Sequence, residues 1–311
     1  MVNFKSILKS KHKLSFSLLI IISISFSSFA QNQSKEYSDG HGGKIVLPMG
    51  DISFADEVVE FKRGTPHAIE SACDSTLALG PPDYKGFAGN FVSLGCGGSL
   101  TLLFTDNALV NIPGPDLFVF EQGKYIEATK LEISKDGMKW ITVGKIAGGT
   151  ASVDIGDSVK EGEVFHYVRL TDLKSDCKGD WPGADIDAVA AIGSGQQITL
   201  NNTVLFQVND YTLAPNAKKE LNKVIEQIKI QNPSQIVIEG NSDNTGNESY
   251  NKILSKRRAQ AVADYFKINI KGLILTTPIK IEGYGSSLPI ASNATKLGQE
   301  KNRRVNIILI P

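Results

Sequence analysis

Apolar residues between Phe91 and Gly193 fall into short runs broken by turn residues: "FVSLG", "SLTLLFTD", "DLFVFEQ", "TKLEISKDG", "KWITVG", "FHYVRLTDL" and "DIDAVAAIG". The runs are rich in Val, Ile, Leu, Phe and Thr, and no useful stretch of helical period separates them. Many short strands at such spacing predict an antiparallel all-β sandwich, placed over residues 44–195. From Thr203 the period changes. "TVLFQV" predicts a strand and "LAPNAKKELNKVIEQIKIQNP" a helix, with Leu221, Val224, Ile225 and Ile228 on one face and Pro233 past its end. "QIVIEG", "GNESYNKILSKRRAQAVADYF", "PIKIEGYG" and "RRVNIILI" continue as strand, helix, strand and closing strand. This βαβαβ–β order predicts an α/β sandwich over 203–311 with its helices on one side of the sheet, after a linker at 196–202.

The head of the chain reads differently. Lys5, Lys9, Lys11 and Lys13 precede an apolar segment, Leu14 to Phe26, and Ser28-Phe29-Ala30 offers small residues before Gln31. The segment is about 13 residues, short of the roughly 20 a membrane-spanning helix needs, so residues 1–30 are expected to be a cleaved export signal. Gln31 rather than a Cys stands directly after the cleavage point, which argues against a lipid anchor. The polar stretch 31–43 is expected to be a flexible lead-in.

Charge is unevenly placed. Residues 31–200 carry a net charge of −10 and residues 201–311 a net charge of +6. The acidic half suits a cation and the basic half an anionic polymer. A nucleic-acid partner fits poorly, because the basic half has no aromatic-interleaved basic patch and the chain is exported. Cys73, Cys96 and Cys177 all lie in the acidic half, their spacing matches no metal motif, and one disulfide with one thiol left over is expected. Which two pair stays open.

"LEISKDGMKWITVG" sets a strand, a Ser134–Gly137 turn and Trp140 opening the next strand. With "ALGPPD" before it and "GADIDAVAAI" as a closing strand, it resembles the hairpin of discoidin-like, galactose-binding-like sandwiches of jelly-roll type. That resemblance implies a fold over about residues 50–195 but no particular ligand; a glycan or an envelope protein would suit such a module. A period of two puts Asp185 and Asp187 on one face with Val189. With Asp116 they are candidate ligands of a structural Ca²⁺, with Asp106 and Asp172 as further oxygen sources. The bland alternative is that each carboxylate caps a turn or takes a backbone amide. Catalysis is not expected: no histidine sits in a metal or nucleophile pattern, and Asp116 and Glu121 would point to opposite faces of one strand.

One stretch in the basic half is unusual. In "GNSDNTGNESYNKILSKRRAQAV" an acidic turn runs into a helix carrying two adjacent arginines. Leu254, Arg258, Ala261, Val262 and Tyr265 share one helical stripe, so Arg258 interrupts an apolar face. Arg257 shares a face with Ile253, Gln260 and Asp264 and can reach water. A guanidinium turned inward needs an anion and satisfied donors. Asp243, in the loop feeding the helix, can supply the anion, and Asn251 adds an amide on the same side. Asp243 and Arg258 could equally form a permanent salt bridge with no ligand.

"FQVNDYTL" (206–213), "EGNSDNTG" (239–246), "YNKILSKRRA" (250–259), "IEGYGSSLPIASN" (281–293) and "GQEKNRRV" (298–305) occur in this order. Together they make residues 203–311 resemble the OmpA-like peptidoglycan-binding domain shared by outer-membrane protein A, the Pal lipoprotein and MotB. The resemblance implies a pocket for the free diaminopimelate end of an uncrosslinked stem peptide. In it Asp243 would take the ammonium and Arg258 the carboxylate. Asn209, Thr245, Asn251 and Arg303 match positions lining the same pocket; strand alternation sets Arg303 and Arg304 on opposite faces. Two residues depart from the family pattern: "GNSD" where His and Thr are more usual before the Asp, and Gln207 where an acid is common. The expectation is a non-enzymatic, exported envelope protein of a Gram-negative periplasm or outer membrane that needs no cofactor. A wall-binding domain anchors a β-sandwich, or else the sandwich carries the main function and wall binding only tethers it.

Overall fold

In the computed structural model most of the strands foreseen between Phe91 and Gly193 form two sheets with a common core. The structure describes residues 34–83, 90–122, 127–270 and 277–311, so the expected signal at 1–30 lies outside it. One sheet has five strands in the order Glu57–Lys62, Ser99–Leu103, Tyr167–Asp172, Thr129–Ser134 and Trp140–Ile146. The other has four, in the order Ala151–Val153, Leu117–Gln122, Asp185–Ala191 and Val92–Ser93. Alternation sorts their side chains. Leu100, Leu102, Leu131, Ile133, Val168 and Leu170 from the first sheet meet Leu117, Val119, Ile186 and Val189 from the second in one buried cluster. Phe118 and Phe120 turn to the opposite face and pack with Tyr37 and Phe54. A disulfide joins Cys96 to Cys177, and Cys73 is left as a buried thiol.

The lead-in is not loose throughout. Lys35–Ser38 pairs antiparallel with Lys44–Leu47. Tyr37 is the reason: its ring packs edge-on against Phe54 with centroids 4.9 Å apart, and its hydroxyl donates to Asp51 at 2.6 Å. One buried aromatic in a polar stretch orders the hairpin.

The expected linker is also mostly strand. Ser194–Asn201 lies inside a six-stranded sheet ordered Val164–Phe165, Asn107–Val110, Ser194–Asn201, Arg304–Ile310, Gln235–Asn241 and Ile279–Gly285. Its first residues pair with the sandwich half (Ser194 opposite Leu109), and the rest pair with the closing strand (Leu200 opposite Val305). The two halves therefore share one sheet rather than hanging on a tether. Ile307 and Leu309 face the helices, whereas Ile308 and Ile310 pack with Ala108, Val110 and Val164. Burial on both faces explains why "VNIILI" is apolar at nearly every position. Between the halves, buried His166 lies 3.1 Å from Glu239 through Nε2 and Oε2.

The segment "TVLFQV" is not a strand. Asn201 Oδ1 accepts from Thr203 N–H at 2.8 Å and caps a single turn of helix, Asn202–Leu205. That cap outweighs the β-propensity of Thr203 and Val204, and the first strand of this half comes earlier, at Ser194–Asn201. The helices Ala217–Gln231 and Glu248–Asn269 follow as expected, and a third, Lys296–Asn302, adds to them. The long helix lies directly on the sheet: a Cβ at Gly240 would fall 1.9 Å from the Ser255 carbonyl. Gly240 is thus required by close approach. Helix Glu248–Asn269 buries Leu254, Ser255, Arg258, Ala259, Val262, Ala263 and Phe266, a stripe rotated slightly from the one read in the sequence. Among the described residues no helix is long and apolar enough to cross a membrane.

Candidate functional site

The pocket is built where the strand Gln235–Asn241 hands over to the long helix. Asn247 caps that helix by accepting from Tyr250 N–H at 3.0 Å, which folds residues 242–247 back over its first turn. Asp243, only 6% exposed, sits in that fold. One carboxylate oxygen accepts from Thr245 N–H at 2.9 Å; the other receives Arg303 Nη1 at 2.5 Å. Asn251 Nδ2 donates to the Thr245 carbonyl at 2.9 Å and to the Asp243 carbonyl at 3.4 Å. Burial pushes the Asp243 carboxyl up, but the Thr245 amide and the Arg303 guanidinium outweigh it and hold the group below the ordinary aspartate range. Four expected residues (Asp243, Thr245, Asn251 and Arg303) are therefore in direct contact.

Arg258 is held differently. It is also 6% exposed, and it reaches away from the 242–247 loop toward the turn at 207–210. Its Nε donates to the Asp210 carbonyl at 2.9 Å and its Nη2 to the Gln207 carbonyl at 3.4 Å, with the Phe206 ring 5.3 Å from the guanidinium carbon. Among the described residues no carboxylate forms an ion pair with it; the carboxylate of Asp243 goes to Arg303. The internal Asp243–Arg258 salt bridge is thus not made. Burial lowers the Arg258 pKa; Tyr250 and the Asp210 carboxylate pull it back up, and Arg303 and Asp243 are also near enough to act on it, one lowering and one raising. The turn that receives Arg258 closes with Asp210 N–H on the Gln207 carbonyl at 3.1 Å. Asn209 occupies its third position with φ +57°, a conformation Asn tolerates better than most residues. Its side chain is exposed on the rim.

Comparison with known proteins bears on what this pocket is. The model of the OmpA family matches residues 205–303. YfiB of Escherichia coli is 34% identical over 151 residues, which span 47% of this chain and 92% of that protein. The chain belongs to the OmpA family. The outer-membrane lipoprotein YfiB of Pseudomonas aeruginosa is 35% identical over 115 residues, covering 37% of this chain and 67% of the relative. The peptidoglycan-binding protein ArfA of Mycobacterium tuberculosis is 36% identical over 128 residues, covering 41% of this chain and 36% of ArfA.

Within the OmpA-family region, Arg258 and Arg303 were legible as site candidates, but their partners were not. The groups that hold Arg258 are backbone carbonyls of Gln207 and Asp210, which no side-chain pattern announces. Asn293 was missed as well: its Oδ1 receives Asn244 N–H at 3.4 Å and Asn302 Nδ2 at 2.9 Å, tying the Asp243 loop to the segment before Arg303. Arg304 lies beside Arg303 at the start of the closing strand. It is buried, and its Nη1 donates to the Leu288 carbonyl at 3.1 Å.

The sandwich does not assemble the expected metal ligands. Asp116 spends its carboxylate on Ile112 N–H at 2.7 Å and Ile155 N–H at 2.9 Å. Asp187 accepts from Gln122 Nε2 at 3.0 Å, and Asp172 from Gly97 N–H at 2.7 Å. The period-of-two reading fails at Asp187 because a β-bulge lies there: Ile186 pairs with Glu121, but Ala188 already pairs with Phe120. Ile186 and Val189 consequently share the inner core, so Val189 does not lie on the face of Asp185 as the alternation implied. Among the described residues no group of three or more His, Cys, Asp or Glu could hold a metal ion.

Proposed function

We propose that this protein binds peptidoglycan non-covalently in the bacterial cell envelope by gripping the free diaminopimelate end of an uncrosslinked stem peptide. The observation that carries the reading is Arg258, which among the described residues forms no ion pair. A buried guanidinium is turned inward and donates to the Asp210 and Gln207 carbonyls, near a buried carboxylate at Asp243. A ligand end bearing one ammonium and one carboxylate complements both. Asp243 would take the ammonium, Arg258 the carboxylate through a two-pronged bond, and Thr245, Asn251, Asn209 and Arg303 would line the site. Membership of the OmpA family and the net +6 charge of residues 201–311 support it. The chain is then an exported, outer-membrane-associated or periplasmic protein that holds its β-sandwich at the wall, with no catalytic step. Isothermal titration of the full chain with a soluble stem tetrapeptide containing meso-diaminopimelate tests this reading. Saturable one-to-one binding, absent when the peptide's free amine and carboxylate are both blocked, is expected; no binding of the unmodified peptide contradicts it.

A further inference from the structure

Leu103 and Tyr167 stand opposite one another on neighbouring strands of the five-stranded sheet, on the face turned away from the sandwich core. Such a face ordinarily meets water. Yet Leu103 is 4% exposed and Tyr167 6%. The segment 288–293 of the OmpA-family half lies against them. Its buried Leu288 and its Ile290 line a cavity with Leu103, Phe104 and Tyr167. The cavity measures about 40 Å³, far below the roughly 300 Å³ of a small-molecule site, so the contact is a packed seam. The Tyr167 hydroxyl also donates to the Pro289 carbonyl at 3.4 Å.

The same segment is clasped from its other side. Asn302, fully buried, accepts from Ile290 N–H at 2.8 Å and Ala291 N–H at 3.0 Å. It donates to the Ala291 carbonyl at 2.7 Å and to Asn293 Oδ1 at 2.9 Å. Its amide therefore has no bonding capacity left over. Asn293 Oδ1 also receives Asn244 N–H, the residue after Asp243, and Asn302 directly precedes Arg303. Asp243 and Arg303 pair with each other. The segment thus meets the sandwich on one side and both members of that ion pair on the other. We propose that the sandwich positions the Asp243 pocket, with Tyr167 acting through the segment 288–293 to set where the 242–247 loop and Arg303 sit. A buried polar network whose bonds are all made is stiff, so a shift at Pro289 is passed on rather than absorbed. Tyr167 is a positioning residue and touches no ligand. The inference rests on the stem-peptide reading for its ligand and on the seam alone for its geometry.

The test uses the full chain with Tyr167→Phe, which removes only the hydroxyl, and Tyr167→Leu, which removes the ring as well. Val110→Ala, in the other apolar cluster between the halves, is the control. Two quantities are measured: affinity for a soluble stem tetrapeptide containing meso-diaminopimelate, and amide hydrogen exchange of residues 242–247, which needs no ligand. Tyr167→Phe should weaken peptide binding about two- to tenfold and Tyr167→Leu at least as much, with faster exchange at 242–247 in both. Val110→Ala should lower the unfolding midpoint and move neither quantity. If the Leu variant does not fold, the Phe variant decides. Unchanged exchange at 242–247 overturns the inference, as does unchanged affinity in a protein that binds, or an equal effect of Val110→Ala. Wild type that fails to bind the peptide overturns the stem-peptide reading alone, and the exchange result still decides this one.

Discussion

The Asp243 carboxylate lies 2.5 Å from Arg303 Nη1, whereas Arg258 donates its hydrogen bonds to the Asp210 and Gln207 carbonyls. The two basic groups of the pocket thus have different anchors, one a carboxylate, the other backbone carbonyls. Asp243 is the group through which pH should act. Its folded pKa is depressed, so its charge persists well below neutrality and is lost only as pH falls through that lowered value. Binding to sacculi should be flat from about pH 8 to 5 and fall away only below the ordinary aspartate pKa of about 3.9, with Arg258 remaining charged throughout. Sedimentation of the protein with purified sacculi across that range checks it.

Glu239 and His166 join the two halves inside a shared sheet. Burial pushes Glu239 up, but His166, Asn306 and Arg304 overcome this and hold it below the ordinary glutamate range. A depressed carboxylate contributes stability above its unfolded pKa and loses it as pH drops through the folded one. Glu239→Ala should cost about 3–5 kcal/mol, because it leaves His166 and Arg304 facing a buried gap. The difference between wild type and Glu239→Gln should shrink below about pH 4. Denaturant unfolding followed in both halves checks it, and one coincident transition is expected.

The sandwich should respond to pH in the opposite sense. Burial pushes Asp185 to about 8 and, with neighbouring carboxylates, Glu127 to about 9. A raised folded pKa in an acid means the native state holds the proton more tightly. Stability is then lost as pH rises from the unfolded value toward the folded one. Asp185 Oδ1 also has no hydrogen-bond partner. Asp185→Asn should therefore stabilise the protein by roughly 1–3 kcal/mol at pH 8 and by little at pH 4, measured by thermal unfolding at both values.

What the sequence made legible follows physical lines. Arg258 stood out because a charge in an apolar helical stripe must find partners, and Leu254, Arg258 and Val262 do share the buried face. The partners were hidden because backbone carbonyls leave no mark in the sequence, and a turn at 207–210 depends on Asn209 accepting a left-handed φ. "TVLFQV" read as strand because propensity ignores the cap at Asn201. The bulge at Asp187 shifted the alternation by one residue and moved Val189 to the inner face with Ile186. Sheet sharing was invisible for another reason. Ser194–Asn201 is short and polar enough to pass for a linker, and its pairing with both Leu109 and Val305 is wholly long-range.

The central claim is tested most directly by a pull-down with purified diaminopimelate-type peptidoglycan, comparing wild type, Asp243→Ala and Arg258→Ala at matched folding. Each substitution removes one charge-assisted contact and should weaken binding by about tenfold to a hundredfold. Wild type is expected in the sacculus pellet and both variants in the supernatant. Co-sedimentation of both folded variants at the wild-type level would contradict the account.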